Sequence, residues 1–377
     1  MQCRLFFKYL LSSCCNRINN YLIEKMKEHN VSVVGYAIID NYKIVAADTL
    51  SIRDDINVSK KTLLQSCSLS KPVTACGVLQ LAAKRKIDID KPLNAQLSDW
   101  KIPESKHGNG VNVRQSLSMT SGLCYGELNA VFPGYMHNKP VPTLDDILHG
   151  EAPATNLPIR MGSVPGSDYR YTGAGYMVLQ KLIEEVSGKS FSQFMDVNVL
   201  RTLGMVGSIF QHPLNDQLKA SAVPGFNANS EMVKGGWDII PTLASGGLWS
   251  TPSDLANLAI GIANAYLGEG ANPIIPQELA IEMLTRQQNS SFGLGVVIDG
   301  EGNAMNFRKN GHNTGYHNEL IMFPNAGQGI VIMTNSSAGI SLINNFVTFI
   351  AKRYNWPPYS PNFDEITVLK QRLKSCL

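Results

Sequence analysis

The sequence has no long basic run and no long apolar run, and each absence excludes a class of protein. Lys and Arg number 33 among 377 residues and the net charge is +3, but the longest basic run is Lys84-Arg85-Lys86. Because phosphate binding requires basic residues gathered on one face, nucleic acid is disfavoured as a partner. A transmembrane helix needs about 18 or more consecutive apolar residues, and the sequence contains no such stretch. No transmembrane segment is therefore expected.

Metal-ligand spacings and paired cysteines are also missing. The seven histidines show neither His-x-x-x-His nor His-Glu-x-x-His spacing, so no metal and no cofactor are expected. The seven cysteines are odd in number and include no Cys-x-x-Cys pair, which argues against a disulfide framework. These cysteines are Cys3, Cys14, Cys15, Cys67, Cys76, Cys124 and Cys376.

The beginning of the chain leaves the cellular location open. Arg4 and Lys8 interrupt the apolar residues of 1–15, and the remaining runs are too short for the core of a signal peptide. Free thiols favour the cytoplasm, but Leu11-Ser12-Ser13-Cys14 resembles a bacterial lipoprotein cleavage box. We expect residues 1–14 to be a leader or a disordered segment of a soluble protein, with export and lipid attachment as open alternatives.

Strand patterns occur near both ends of the chain. After a predicted helix at about 15–29, β-branched and aromatic residues flank turn formers in two segments typical of a hairpin. Four more strands are predicted late in the chain, with a turn at Asn325-Ala326-Gly327 before the last one and a helix at about 338–354 after it. The predicted strands are Val31–Asp40, Lys43–Thr49, Phe292–Ile298, Met305–Arg308, Glu319–Phe323 and Gly329–Thr334.

Helical patterns dominate the middle of the chain, at 68–85, 174–187 and 252–267, with long loops at 101–112 and 131–168. This order predicts an α+β fold: an antiparallel β-sheet built from both chain ends with flanking helices, plus an inserted mainly helical region. We expect one domain at 15–355, with an α/β part at 15–59 and 290–355, a helical part at 60–289, and a C-terminal tail at 356–377. Ligand sites often lie where two structural units meet, so we expect the site at the junction of the α/β part and the helical part.

A candidate nucleophile opens one of these helices. In Ser68-Leu69-Ser70-Lys71 the serine and the lysine are three residues apart, so they share a helix face. A serine needs a neighbouring base to accept its proton, and a lysine can do this when burial and nearby positive charge lower its pKa. Ser98-Asp99-Trp100-Lys101 has the same spacing but runs into Ile102-Pro103, so it is not expected to open a helix.

Two further motifs follow in a specific order, Tyr169-Arg170-Tyr171-Thr172-Gly173 and Lys309-Asn310-Gly311-His312. With Ser68 and Lys71 they make the sequence resemble class C β-lactamases, D-alanyl-D-alanine peptidases and the esterases of that superfamily. The resemblance covers about residues 18–355. Weaker supporting stretches are Thr120-Ser121-Gly122-Leu123, Ala244-Ser245-Gly246-Gly247-Leu248, Phe292-Gly293-Leu294-Gly295 and Met333-Thr334-Asn335.

The resemblance implies a role for each motif residue. Ser68 would be the nucleophile, Lys71 its proton acceptor, and Tyr171 the group that passes the proton to the leaving group and later activates water. Lys309 would add positive charge and orient a substrate carboxylate or carbonyl. The candidate substrate-binding and oxyanion residues are Lys309, Asn310, Gly311 and His312, the last through its backbone N–H together with that of Ser68. Tyr316-His317-Asn318 also reads Tyr-x-Asn but lies after the third motif.

Two positions depart from the β-lactamase pattern. Gly173 stands where those enzymes carry an asparagine whose amide holds the acylamido group of the substrate, and Asn310 replaces a threonine. Both changes leave the acylation residues intact and alter substrate recognition. Efficient hydrolysis of β-lactams is therefore in doubt, whereas cleavage of esters or amides is not.

The sequence predicts a serine hydrolase that forms an acyl-enzyme on Ser68. Its partner would be a small-molecule ester, peptide or lactam substrate. Two alternatives stay open: a penicillin-sensor-like binding protein that acylates without efficient turnover, and a true class C-type β-lactamase. Because all three reactive side chains are present, a catalytically dead scaffold is disfavoured.

Overall fold

A computed structural model of the protein describes residues 16–108, 110–126, 134–288 and 290–359. The predicted leader at 1–14 lies outside these residues, as does the predicted tail from residue 360 onward. Helix α1 spans residues 16–28 in the described part of the chain. Beyond the last helix, the ring of Trp356 packs 5.2 Å from that of Phe323 and is 9% exposed. The predicted domain limits stay a prediction.

The two ends of the chain meet in one antiparallel sheet. Its six strands lie in the order β2-β1-β11-β10-β9-β8. Strand β1 therefore has β2 on one side and β11, almost 300 residues later, on the other. The strands are β1 (Val33–Asp40), β2 (Lys43–Ser51), β8 (Val297–Asp299), β9 (Asn306–Asn313), β10 (Tyr316–Phe323) and β11 (Gln328–Thr334). The predicted α+β sheet from both chain ends is confirmed.

Both faces of this sheet are covered, which explains why β1, β10 and β11 are almost entirely buried. Helix α1 and helix α11 (Ile340–Arg353) cover one face, with Ile18, Leu22, Phe346 and Ile350 in the apolar layer. The other face packs against the middle of the chain through the larger core. A sheet buried on both sides loses the in-and-out alternation of polar and apolar residues.

The middle of the chain is mainly helical, with short strands. Helix α2 (Ser70–Ala83), helix α5 (Ala174–Ser187) and helix α9 (Pro252–Leu267) are its long elements. The others are β3 (Leu64–Gln65), α3 (Val113–Leu117), β4 (Leu123–Cys124), α4 (Leu144–His149), β5 (Arg160–Met161), α6 (Phe191–Met195), β6 (Ile209–Phe210), α7 (Asp216–Lys219), α8 (Leu243–Gly246), β7 (Leu248–Ser250) and α10 (Gln277–Met283). Within the described part of the chain, the helices are too short or too polar to span a bilayer.

Several predicted segments differ from the structure at their limits, and three of them differ in ways that have a physical reason. The strand predicted at Phe292–Ile298 is confined to Val297–Asp299, because Gly295 has a φ of +95°, which extended strand geometry excludes. The strand predicted at Met305–Arg308 continues to Asn313, through polar residues that hide the strand pattern. The loop predicted at 131–168 contains α4, which begins with a capping box between Thr143 and Asp146.

Candidate active site

The candidate nucleophile lies on a sharp turn between β3 and α2. A 3-10 turn, Cys67–Leu69, leads directly into α2. Cys67 has a φ of +53°, a left-handed conformation that non-glycine residues rarely adopt and that is often found at functional sites. Cys67 and Leu69 are fully buried whereas Ser68 is partly exposed. The turn therefore presents the Ser68 hydroxyl at the surface of an otherwise buried segment.

Burial also makes the Cys67 thiol different in reactivity from the hydroxyl of Ser68, the next residue in the chain. Burial raises the pKa of the Cys67 thiol, with a smaller opposing effect from the Asn318 amide, which donates to the sulfur at 3.5 Å. The same amide donates to the Gln65 carbonyl at 2.8 Å. A thiol held in its protonated form is a poor nucleophile. Of the two adjacent side chains, Ser68 is therefore the accessible one for reaction.

Lys71 and Tyr171 both reach the Ser68 hydroxyl. Lys71 Nζ donates to Ser68 Oγ at 3.2 Å, and the Tyr171 hydroxyl donates to the same oxygen at 2.7 Å. Lys71 comes from the first turn of α2 and Tyr171 from the segment just before α5. Three side chains that are far apart in sequence thus meet at one oxygen, as the motif order predicts.

Lys71 is held away from bulk water. It is 3% exposed, and its Nζ also donates to the Ser245 carbonyl at 2.6 Å. Burial of this kind disfavours the charged ammonium relative to the neutral amine. The arrangement suits a lysine that must accept a proton from a neighbouring hydroxyl.

The Tyr171 ring lies close to two amines. The Nζ atoms of Lys71 and Lys309 are 5.1 Å and 4.9 Å from the centre of its ring. Positive charge at this distance favours a phenolate over a phenol. Tyr171 is therefore in an environment suited to moving a proton to and from the Ser68 oxygen.

The third motif lies on β9, next to the nucleophile turn. Lys309 is fully buried, and its Nζ donates to Asn310 Oδ1 at 3.3 Å. A Cβ at Gly311 would be 2.5 Å from the Ser66 carbonyl oxygen and 3.2 Å from the Ser68 nitrogen. Only glycine lets the strand pass this close to the turn. His312 follows with an exposed side chain, its ring 5.2 Å from that of His317.

A cleft opens where these elements meet. Four of the predicted site residues line it, namely Ser68, Lys71, Tyr171 and His312, whereas Lys309, Asn310 and Gly311 form the strand beside it rather than its lining. The remaining lining residues are Tyr125, Gly173, Ile240, Thr242, Ser245, Gly246 and Asn313. Among the described residues, no group of three or more His, Cys, Asp or Glu side chains is arranged to hold a metal ion.

The sequence also contains motifs that do not reach this cleft. Ser98 and Lys101 lie outside any helix, and Lys101 Nζ donates to the Asn94 carbonyl. In the literal Tyr-x-Asn of β10, the Tyr316 hydroxyl donates to the Val223 carbonyl at 2.7 Å and is buried. A matching sequence motif is therefore not sufficient to place residues at this cleft. From the sequence, neither of these two motifs is expected to belong to the site.

Sequence reasoning missed the segment opposite Lys71. The Ser245 carbonyl binds Lys71, and the Ser70 hydroxyl, which donates to the Cys67 carbonyl at 2.6 Å, accepts the Leu248 N–H at 3.0 Å. The stretch from Ala244 to Leu248 stood out in the sequence only as a weak supporting motif. This stretch contributes to the site largely through backbone groups. Because every residue type has a backbone carbonyl, these contacts could not be predicted from the sequence.

The fold and the site together define a class of protein. An antiparallel sheet built from both chain ends, helices on both faces and a serine at the head of the helix beside the sheet are typical of serine β-lactamases and penicillin-binding proteins. The chain belongs to the Beta-lactamase family, whose profile matches residues 18–343. The predicted superfamily is thereby confirmed.

Individual relatives are distant. Protein flp of Staphylococcus aureus (strain N315) is 19% identical over 379 residues, covering 93% of this chain and 72% of that protein. Among solved structures, the octameric penicillin-binding protein homologue from Pyrococcus abyssi has a TM-score of 0.69 at 19% identity, covering 89% of this chain and 77% of that one. The D-amino acid amidase from Ochrobactrum anthropi SV3 has a TM-score of 0.69 at 16% identity, covering 89% and 99%. These structural likenesses show a shared fold.

Proposed function

We propose that this protein is a serine hydrolase that forms an acyl-enzyme on Ser68 and cleaves an ester or amide bond. One observation carries the proposal. Ser68 Oγ lies within hydrogen-bonding distance of both Lys71 Nζ and the Tyr171 hydroxyl, at 3.2 Å and 2.7 Å. A nucleophile in contact with its base, in a cleft open to a small substrate, meets the geometric requirement for covalent catalysis.

Acylation begins when neutral Lys71 accepts the Ser68 proton and the oxygen bonds to the substrate carbonyl carbon. The carbonyl π electrons move to its oxygen, and the backbone N–H groups of Ser68 and His312 would stabilise the resulting oxyanion. When the carbonyl re-forms, the bond to the leaving oxygen or nitrogen breaks. That atom takes the hydroxyl proton of Tyr171, which is in contact with the Ser68 oxygen, and Tyr171 regains a proton from the Lys71 ammonium.

Deacylation repeats these steps with water. Tyr171, whose ring lies near the amines of Lys71 and Lys309, passes its hydroxyl proton to neutral Lys71 and takes a proton from a water molecule, whose oxygen attacks the ester carbonyl. The bond from that carbon to Ser68 Oγ then breaks, and the serine oxygen takes a proton from the Lys71 ammonium. The two nearby positive charges lower the cost of the negative charge that Tyr171 and the oxyanion carry along the way.

The recognition residues favour esters or simple amides over β-lactams. Gly173 offers no amide to hold an acylamido group, and Asn310 supplies no hydroxyl for a carboxylate. The D-amino acid amidase of similar fold supports the inclusion of amides of D-amino acids among the candidate substrates. The substrate would be a small ester, peptide or lactam, with the lactam the least favoured of the three.

Replacement of the nucleophile tests this proposal. We expect Ser68→Ala to reduce hydrolysis of a p-nitrophenyl ester by about 10³-fold or more, because catalysis by a covalent route ends with the loss of its nucleophile. The assay would include D-amino acid amides and penicillins, with circular dichroism to verify folding. Ser98→Ala, in the other Ser-x-x-Lys sequence, is the matched control and should retain full activity. Turnover that survives Ser68→Ala would disprove the proposal.

Mass spectrometry of the intact protein separates the alternatives. A hydrolase mixed with a p-nitrophenyl ester or a penicillin should pass through many turnovers and carry little adduct at steady state. A penicillin-sensor-like protein would instead keep one acyl group on Ser68 without further product. Rapid turnover of penicillins in preference to esters would identify a true class C-type β-lactamase.

A further inference from the structure

We propose that Thr74 and Gln180 are positioning residues for Lys71, acting through the backbone of Ala244 and Ser245. The proposal deepens the proposed function and rests on it for the role of Lys71 as base. Neither residue belongs to the motif of the nucleophile, the motif of Tyr171 or the third motif on β9. Both are almost completely buried, with Thr74 fully so and Gln180 3% exposed.

Two helices hold opposite sides of the same peptide segment. From α2, the Thr74 hydroxyl donates to the Ala244 carbonyl at 2.9 Å. From α5, Gln180 Oε1 accepts the Ala244 N–H at 3.1 Å. Both backbone groups of Ala244 are therefore fixed by buried side chains, and the next carbonyl along the chain is the one that binds Lys71 Nζ at 2.6 Å.

The segment needs this support because its own secondary structure is minimal. Helix α8 has only four residues, and Thr242 makes no side-chain cap at its start. A single helical turn is unstable on its own. Without Thr74 and Gln180, the Ser245 carbonyl would be held by this short turn and by the bonds of Leu248 to Ser66 and Ser70 further along the chain.

The position of that carbonyl controls how Lys71 acts as a base. While Nζ donates one hydrogen to Ser245, the lone pair of the neutral amine can face the Ser68 hydroxyl, to which Nζ lies at 3.2 Å. A carbonyl oxygen also stabilises an ammonium more than a neutral amine. If the carbonyl moves away, the amine loses its orientation and the ammonium loses a partner.

Thr74→Val and Gln180→Met leave the other aromatic and titratable side chains around Lys71 unsubstituted. They are the rings of Tyr171 and Tyr176, 5.1 Å and 5.5 Å from Nζ, the Cys67 thiol, and Lys309, whose Nζ lies 4.9 Å from the centre of the Tyr171 ring. A change in the titration of Lys71 in these variants would therefore report on the Ser245 carbonyl.

The test compares Thr74→Val and Gln180→Met with two controls. Thr74→Ser keeps the hydroxyl, and Gln80→Met removes a glutamine of α2 whose amide binds the Asn198 and Ile274 carbonyls away from the cleft. We expect kcat/KM for a p-nitrophenyl ester to fall about 10²-fold in the first two variants, the effect of misplacing a catalytic group by about 1 Å. The acid limb of the pH profile of kcat/KM should move to lower pH, because the Lys71 ammonium would lose the carbonyl that stabilises it.

A second readout does not depend on turnover. Protein labelled with ¹³C at lysine Cε reports the protonation of Lys71 by NMR, with the signal assigned by its absence in Lys71→Arg. We expect the titration midpoint of Lys71 to move to lower pH in Thr74→Val and Gln180→Met, and to stay unchanged in Thr74→Ser and Gln80→Met.

The two readouts separate the two proposals. A midpoint that is the same in all variants, or that moves equally in Gln80→Met, overturns the positioning role. Loss of kcat/KM in proportion to lost thermal stability, with an unchanged pH profile, also overturns it. If the wild type hydrolyses and acylates nothing but the midpoint moves as expected, the proposed function fails and the positioning of Lys71 stands.

Discussion

Gly173 leaves space beside the candidate nucleophile that a larger side chain can occupy. Its φ is −77°, which any residue can adopt, and a Cβ would lie 3.4 Å from Met177 Cε and 3.6 Å from Ser245 Oγ. These are ordinary contact distances, so the fold does not demand glycine here. The small residue therefore bears on what the cleft can accept, rather than on packing.

Gly173→Asn is therefore expected to fold and to change substrate preference. An amide at this position can hydrogen-bond the acylamido group of a penicillin, and one such bond contributes about 1 kcal/mol, or roughly fivefold. We expect the rate of Ser68 acylation by a penicillin, measured by mass spectrometry, to rise by about this factor. Gly173→Leu has a similar size without the amide and should show no increase. An equal increase in both variants would contradict the expectation.

The site residues differ in how visible they are in the sequence. Ser68, Lys71 and Tyr171 could be predicted as a group because their chemistry requires particular side chains at particular spacings. The Ser245 carbonyl could not, because any residue supplies a carbonyl. Thr74 and Gln180 are hidden for a related reason: they are buried polar residues on helices, and only the fold shows that both hold Ala244.

At the scale of secondary structure, the critical contact is between β9 and the turn that carries Ser68. Gly311→Ala would bring a methyl group within 2.5 Å of the Ser66 oxygen, which is a backbone atom that cannot rotate away. The strand or the turn must therefore shift. We expect a loss of about 1–3 kcal/mol in the free energy of unfolding, and a fall of about 10²-fold in kcat/KM because the nucleophile is displaced.

Thermal denaturation and the p-nitrophenyl ester assay would measure both effects. Gly110→Ala is the matched control, because a Cβ there meets nothing within 4 Å and should leave stability and activity close to wild type. Wild-type activity in Gly311→Ala would show that the contact between strand and turn does not position Ser68.

Elements with strong periodicity could be predicted from the sequence, and elements that depend on neighbours could not. Helices α5 and α9 have the predicted limits because apolar periodicity defines them and each ends at a left-handed glycine, Gly188 or Gly268. The apolar run from Phe292 reads as a strand, yet Gly295 has a positive φ and its N–H donates to the Leu117 carbonyl. Its apolar residues are buried in a loop instead.

Across the whole molecule, the pairing of the two chain ends follows from burial. Strand β1 is apolar on both faces, which indicates a central position covered by helices on each side, whereas β2 has exposed residues and lies at the edge. The sequence predicts that both ends contribute strands. The register between β1 and β11 depends on contacts across about 300 residues and has no local signal.

The pH dependence of stability is also a property of the whole fold, and His212 makes a distinct contribution to it. Burial lowers the pKa of His212 from its ordinary value of 6.5 to about 3. The N–H groups of Ile240 and Trp249 face its two ring nitrogens at 3.2 Å and 3.1 Å. A neutral imidazole already sets one ring N–H against one of these donors, and protonation would set a second ring N–H against the other. The folded state therefore keeps the ring neutral, while the unfolded chain protonates it at its ordinary pKa.

Because the unfolded state binds the additional proton, the stabilisation from His212 is complete above about pH 6.5 and is lost as the pH falls toward 3. We expect the wild-type free energy of unfolding to decrease by about 2 kcal/mol between pH 7 and pH 5 from this group alone. Burial raises the pKa values of Asp238 and Asp254, so these carboxyl groups act in the opposite direction.

A comparison of pH slopes isolates this histidine. His212→Gln should be less stable at pH 7, because it loses the Trp249 contact, and its stability should depend less on pH between 5 and 7. Urea denaturation at pH 5, 6 and 7 measures both. His149→Gln, at an exposed position, should keep the wild-type slope. A slope in His212→Gln equal to that of wild type would mean that another group causes the acid sensitivity, since every other titrating side chain is unchanged.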